Sequence, residues 1–187
     1  VVLNMRDAVN VPVGFKRVLG AAVMSASAVG WACPVDTEPR HVGTLLVVQG
    51  TGIATLVLGA PELSALPAAT LTQRQVVSSG ASAATERSVS YSGPLMREVL
   101  LRAGVGLPND RGARLAVIEA VATDGYRAVF SWGELFNSAV GDQVMVIRSQ
   151  DGRPLDSAAG PLALRSLADL RPGARHVRNL CALVVRQ

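Results

Sequence analysis

Lysine occurs once in this sequence, at Lys16, and aromatic residues make up only 4% of it. Arginine therefore carries nearly all of the positive charge behind a net +4. Its planar fork suits carboxylates, phosphates and flat rings better than an ammonium does. There is no dense Lys/Arg run and no helix-turn-helix, finger or aromatic RNA-binding motif, so the basic balance does not point to nucleic acid. With so few aromatics, the core must be built from Val, Leu and Ala. Charged residues are 17% and hydrophobic residues 49% of the chain, which excludes a disordered polypeptide. Two histidines, His41 and His176, and two cysteines, Cys33 and Cys181, make no zinc spacing. Nucleophile elbow, Walker loop, paired-His helix and dinucleotide glycine fingerprint are all missing. No apolar run reaches the ~20 residues that a membrane-spanning helix needs, so an integral membrane protein is not expected.

What is present begins with a leader-like segment. Arg6, Lys16 and Arg17 precede a run of apolar and small residues from Val18 to Ala32. A basic flank, a short apolar stretch and a small–x–small site such as Ala26-Ser27-Ala28 give the order of a secretory signal. Residues 1–32 are thus expected to be a signal peptide and 33–43 a linker, with the chain exported to the periplasm. Residues 18–32 could instead be a core helix. Cys33 could be a lipid-modified first residue, which would make the chain a lipoprotein. An exported protein could also pair Cys33 with Cys181. Cys181 lies in the apolar run 180–185, however, and the commoner fate of such a thiol is to stay buried and inert.

From residue 44 onward, short apolar runs alternate with turn signals. Strands are expected at 44–49, 54–58, 68–77, 115–123, 126–130, 144–147, 161–164 and 177–185. Glycine or Asp-Gly between β-branched runs marks hairpins at 50–52, 124–125 and 151–152. Pro61 starts a short helical segment that Pro67 ends. Residues 78–88 are small and polar and read as a loop. Tyr91-Ser92-Gly93-Pro94 then opens the longest helix, whose stripe is Leu95, Val99, Leu100 and Ala103, with Gly104 at its cap. Ser131-Trp132-Gly133-Glu134 is a capping box. Many short strands with a few short helices indicate an α+β domain built mainly on mixed β-structure.

Chemistry-bearing residues stand at strand ends. Asp124-Gly125-Tyr126-Arg127 is explained by a hairpin turn, and Asp151-Gly152-Arg153-Pro154 likewise. Asp169, Arg171, Arg175, His176, Arg178 and Asn179 surround a Pro-Gly turn. They form either a solvated basic turn or a pocket wall where guanidinium groups meet an anion or a flat heteroaromatic ring. Strand alternation would place His176 and Arg178 on one face and Arg175 on the other.

The order of Leu63-Ser64-Ala65-Leu66-Pro67, Tyr91-Ser92-Gly93-Pro94-Leu95, Thr123-Asp124-Gly125-Tyr126, Asp151-Gly152-Arg153-Pro154-Leu155, Gly160-Pro161-Leu162 and Arg175-His176-Val177-Arg178-Asn179 resembles the oxidoreductase molybdopterin-binding domain of sulfite oxidase-like proteins. The resemblance spans residues 44–187. It implies a sulfite oxidase-like, mainly β mixed-sheet fold around a pterin or molybdopterin. In that family's enzymes a cysteine ligates molybdenum. The matching segment here, Val76 to Val89, has none, and serine is a poor substitute for a soft thiolate. The resemblance therefore implies pterin binding without molybdenum and without catalytic residues. Small exported relatives of this fold bind reduced pterins and report to membrane-bound cyclic-di-GMP enzymes, which makes such an enzyme the implied partner. By the same resemblance Asp124, Tyr126, Arg171, Arg175, His176 and Arg178 would border the pterin: Asp124 pairing with the aminopyrimidine edge, Tyr126 stacking, the arginines holding a carbonyl or phosphate. A molybdopterin-dependent oxidoreductase and a protein-interaction domain with an empty pocket are the alternative readings.

Overall fold

The computed structural model describes Cys33 and residues 44–77, 85–106, 111–171 and 173–187, all within the unit formed by residues 31–187. The expected signal peptide and, apart from Cys33, the expected linker lie outside the described residues.

In chain order the elements begin with β1 (Leu46–Gly50), β2 (Leu56–Leu58), α1 (Ala60–Ser64), β3 (Ala68–Val77), β4 (Thr85–Pro94) and α2 (Met96–Arg102). They continue with β5 (Val117–Ala122), β6 (Arg127–Ser131), α3 (Trp132–Phe136), β7 (Val144–Ile147), β8 (Ser149–Gln150) and β9 (Arg153–Pro154). The chain ends in β10 (Ala163–Ser166), β11 (His176–Val177) and β12 (Leu180–Arg186). A five-stranded sheet runs β2-β1-β12-β5-β6, a three-stranded sheet β11-β10-β7, and a four-stranded sheet β3-β4-β8-β9. The pair β1–β12 is parallel, joining the first strand to the last, while the other ladders are antiparallel. Among the described residues the architecture is mainly β mixed sheet with three short α-helices, as the sequence indicates.

Alternation of side chains across the strands explains the core. Leu46, Val48, Ile118, Phe130, Leu183 and Val185 project from the five-stranded sheet into the main cluster, where they meet Met96, Val99 and Leu100 of α2. Each fully buried Val, Leu or Phe contributes roughly 1.5–3 kcal/mol. Strand β7 is buried on both faces: Val144 and Val146 join the main cluster, while Met145 and Ile147 meet Val89, Tyr91 and Ala163 in another. This double burial accounts for its unbroken apolar run.

Four expectations need correction. Residues 85–88 are strand rather than loop, because Thr85–Ser88 extend the β3–β4 ladder opposite Arg74–Val77. Tyr91–Pro94 end that strand instead of opening the helix, which starts at Met96 with Leu95 as its N-cap. The closing run 177–185 is two strands, since Asn179 takes a left-handed φ of 49° and breaks the extended chain between β11 and β12. Cys181 is not an inert free thiol: it forms a disulfide with Cys33, with Cα atoms 5.6 Å apart.

Candidate functional site

Two adjoining clefts share Gly173, His176 and Arg178 on their walls. The smaller, about 280 Å³, is completed by Asp124 and Tyr126. The larger, about 640 Å³, extends over Arg74, Gln75, Tyr91, Gln150 and Arg165, with Val76 and Leu170 also on its wall. Four of the six site residues expected from sequence, Asp124, Tyr126, His176 and Arg178, therefore meet in one place although they are separated by some fifty positions in the chain. His176 and Arg178 do share the same walls, as strand alternation implies.

Each wall has a local cause. Asp124 Oδ1 accepts from the Tyr126 N–H at 2.9 Å, closing the turn between β5 and β6. The Tyr126 hydroxyl donates to the Ala174 carbonyl at 2.7 Å, which pins that turn to the loop before β11 and leaves the ring partly exposed at the cleft. The Thr123 N–H donates to the Asn179 carbonyl at 3.0 Å, a second tie between the same segments. Gly160 fits under Asn179 only because it has no side chain: a Cβ there would collide with the Asn179 carboxamide oxygen.

Arg175 and Arg171 line neither of these clefts. Arg171 is exposed. The Arg175 guanidinium is held by Asp169, by Glu134 at 2.9 Å, and over the Phe130 ring at 4.9 Å. Ser166 donates to the same Asp169 at 2.7 Å. Arg175 keeps Asp169 below the usual carboxylate range through direct hydrogen bonding. Burial alone would raise Glu134, but hydrogen bonds from the Ser131 N–H and from Arg175 outweigh it and leave its pKa lowered. Arg175 thus fastens Asp169 to the start of α3, where Ser131 and Glu134 form the expected capping box. It supports the wall from behind.

The larger cleft contains residues that sequence reasoning missed. Arg165 is only 7% exposed. Its Nη1 donates to the Tyr91 hydroxyl at 2.8 Å, its guanidinium lies 5.3 Å from the Tyr91 ring centroid, and Gln75 Nε2 donates to the same hydroxyl at 2.8 Å. Across the β10–β11 ladder, Arg165 pairs with His176. Burial, and then the charges of Arg165 and Arg178, push His176 down to about 4, so its imidazole is neutral near pH 7.

Among solved structures, the chain resembles the sulfane dehydrogenase SoxCD from Paracoccus pantotrophus, with a TM-score of 0.60 at 17% sequence identity. It has the sulfite oxidase-like molybdopterin fold. The match covers 80% of this chain and 39% of the SoxCD chain, so this chain spans about two-fifths of the length of that relative. No family model and no curated protein matches it. On the molybdopterin fold, the residues present do not suit a molybdenum ion. The resemblance implies a cysteine thiolate as its protein ligand, and the only two cysteines in the sequence are joined to each other. Among the described residues, no group of three or more His, Cys, Asp or Glu is placed to hold a metal. The donor set suits an organic ligand better. The smaller cleft offers a carboxylate, an exposed phenol ring, a neutral imidazole and one arginine, and the larger shares the last two and adds further arginines.

Proposed function

We propose that this chain is an exported pterin-binding module, a ligand-binding or signalling partner rather than a catalyst. The observation that carries the reading is the convergence of Asp124, Tyr126, His176 and Arg178 on one cleft of a molybdopterin-type fold that has no thiol for the metal. A pterin presents an aminopyrimidine edge whose N–H groups a carboxylate accepts in pairs, a flat ring that a phenol or guanidinium can stack on, and carbonyl or phosphate oxygens that arginine binds. The clefts carry all three kinds of partner. A pocket of a few hundred Å³ suits a small heterocycle.

The Cys33–Cys181 disulfide supports an oxidising, periplasmic location, because such bonds persist outside the reducing cytosol. A Cys33 thiol held in that disulfide is not available for lipid attachment, so the reading favours a soluble exported form over a lipoprotein. In this reading the partner is a membrane-bound cyclic-di-GMP enzyme, which would sense the loaded cleft through its rim.

Isothermal titration of the oxidised protein with a tetrahydropterin tests the proposal. Binding is expected in the unaltered protein. A loss of about 1.5–3 kcal/mol, roughly tenfold to a hundredfold, is expected in both Asp124→Ala and Arg178→Ala, the range for a hydrogen bond to a charged group. No heat in the unaltered protein, or an affinity in both variants as high as that of the unaltered protein, rejects the reading. A protein-interaction role is favoured by one feature of its own, the full exposure of Leu170 on the rim. Pull-down of the partner enzyme by pterin-free protein, abolished in Leu170→Asp, would establish that alternative.

A further inference from the structure

Among the described residues, the outermost strands of the three sheets differ in how they are protected. β2 has three residues, β9 and β11 have two each, and β9 ends in Pro154. β6 carries Arg127, which pairs with Glu119, and β7 is buried on both faces. β3 is the exception. It is a ten-residue strand, Ala68–Val77, at the end of its sheet and paired only with β4. A free edge templates pairing with another chain, and proteins commonly blunt it with lysine, proline, a bulge or short length. β3 has none of these. Its register runs unbroken from Ala68 opposite Pro94 to Val77 opposite Thr85, and Arg74 is its single charge.

The bonding of β4 decides which groups of β3 are free. On the β8 side, the Ser92 carbonyl accepts from the Arg148 N–H at 2.9 Å and the Ser90 carbonyl from the Asp151 N–H at 2.8 Å. In an antiparallel ladder each residue turns both backbone groups to one side, and successive residues alternate. Val89, Tyr91 and Gly93 therefore bond toward β3, where Gln73, Leu71 and Ala69 stand opposite them. It follows that Ala68, Thr70, Thr72, Arg74 and Val76 turn their N–H and C=O groups to the open edge. Among the described residues no other backbone group bonds to them there. The side chains of the same five residues are exposed, with Val76 at 68%.

From this arrangement we infer that the open edge of β3 is a docking site for a second copy of this chain, paired antiparallel across a twofold axis at Thr72. Such a contact presents the same patch on both subunits, so the strand must be complementary to itself. β3 meets that condition in one register. With Thr72 on the axis it faces its own copy, Thr70 faces Arg74, and Ala68 faces Val76. This register engages the whole open edge, brings β-branched residues opposite one another and covers the exposed Val76 with the small Ala68. It also sets Arg74 against a hydroxyl. Moving the axis to Arg74 would set two guanidinium groups against each other and leave Ala68 and Thr70 unpaired, which like-charge repulsion disfavours. The pairing joins the two four-stranded sheets into one continuous sheet. It does not depend on what the clefts bind.

Sedimentation equilibrium of the oxidised full chain over a wide range of concentration tests the inference. The unaltered protein should pass from monomer to dimer as concentration rises. Thr72→Pro removes an N–H that β4 does not use, so the β3–β4 ladder should survive while dimerisation is lost. Thr72→Val keeps that N–H and should dimerise like the unaltered protein. Thr72→Lys keeps it too, but opposes two ammonium groups on the axis and should weaken the dimer roughly tenfold, even if the proline variant fails to fold. Cross-linking checks the register. Cα atoms of a directly opposed, hydrogen-bonded pair lie about 5.5 Å apart, within reach of a disulfide. Cys33 and Cys181 are already joined to each other, so an added cysteine is the only free thiol. Under mild oxidation Thr72→Cys should form a covalent dimer. Thr70→Cys should not, because its copies stand more than about 10 Å apart along the paired strands. A chain that stays monomeric at every concentration overturns the inference and leaves the edge to some other partner. Dimerisation of Thr72→Lys as strong as that of the unaltered protein also overturns it, as does cross-linking of Thr70→Cys as fast as that of Thr72→Cys.

Discussion

His176 is a residue whose charge the surrounding clefts oppose. Arg165 faces it across β10–β11, Arg178 follows it in the chain, and Arg74, Tyr91, Asp124 and Tyr126 share its clefts. Its pKa, about 4 in the folded chain, lies below the ordinary ~6.5 expected of the unfolded one. Between those values the unfolded state binds the extra proton, so stability falls as pH drops from about 6.5 to about 4 and this contribution is complete below that. The full shift would correspond to ~3 kcal/mol, but the ring is partly open to solvent, and screening reduces the expected loss to about 1–2 kcal/mol. Urea unfolding at pH 7 and pH 4.5 should show this loss, and His176→Gln should remove most of it. Asp169 and Glu134 act in a separate window: their lowered pKa values contribute stability that disappears only as pH falls through the still lower folded values. Arg175 shows how far residue identity carries. The sequence marks it as a cation near a turn, but only the positions of Asp169, Glu134 and Phe130 make it a tether for the cleft wall rather than a ligand contact.

At the scale of elements, the site depends on how strand ends are tied together. The turn between β5 and β6 and the β11–β12 link are joined through the bonds from Tyr126 to Ala174 and from Thr123 to Asn179. Gly160, at φ +79°, passes under that link with no room for a side chain. Gly160→Ala combines a left-handed backbone with a clash against Asn179, and should destabilise the protein by roughly 2–4 kcal/mol, as chemical denaturation would report. Much of this scale was legible beforehand. β-Branched runs bounded by glycine mark β1, β5, β6 and β7, and Ser131 with Glu134 marks the start of α3. The β3–β4 ladder was not legible beyond its first strand, because Thr85–Ser88 are polar and become strand only by pairing with Arg74–Val77. Arg165 was hidden for a similar reason: β10 is buried throughout, so no alternation separates its faces, and only its partners Met145 and His176 reveal where its side chain lies.

For the whole molecule, the chain closes on itself twice. β1 pairs in parallel with β12, and Cys33 is bonded to Cys181 within β12. A disulfide spanning 148 positions removes much of the freedom of the unfolded chain. Reduction, or Cys181→Ser, should therefore cost about 2–4 kcal/mol, seen as a lower midpoint in thermal melts with reductant. Unchanged melting would show that Cys33 and Cys181 are not joined in solution.

The sequence by itself determined the mainly β α+β class, most strand positions, the Asp124-Gly125 turn and the grouping of His176 with Arg178, because local periodicity and turn chemistry are encoded within a few residues of one another. Tertiary structure alone decided that Cys33 meets Cys181, that Arg175 serves the wall, and that Arg165 stands buried against Tyr91 beside two other cations. Those outcomes depend on which distant strands become neighbours. That choice is made by the packing of the whole core, and no local run of residues records it.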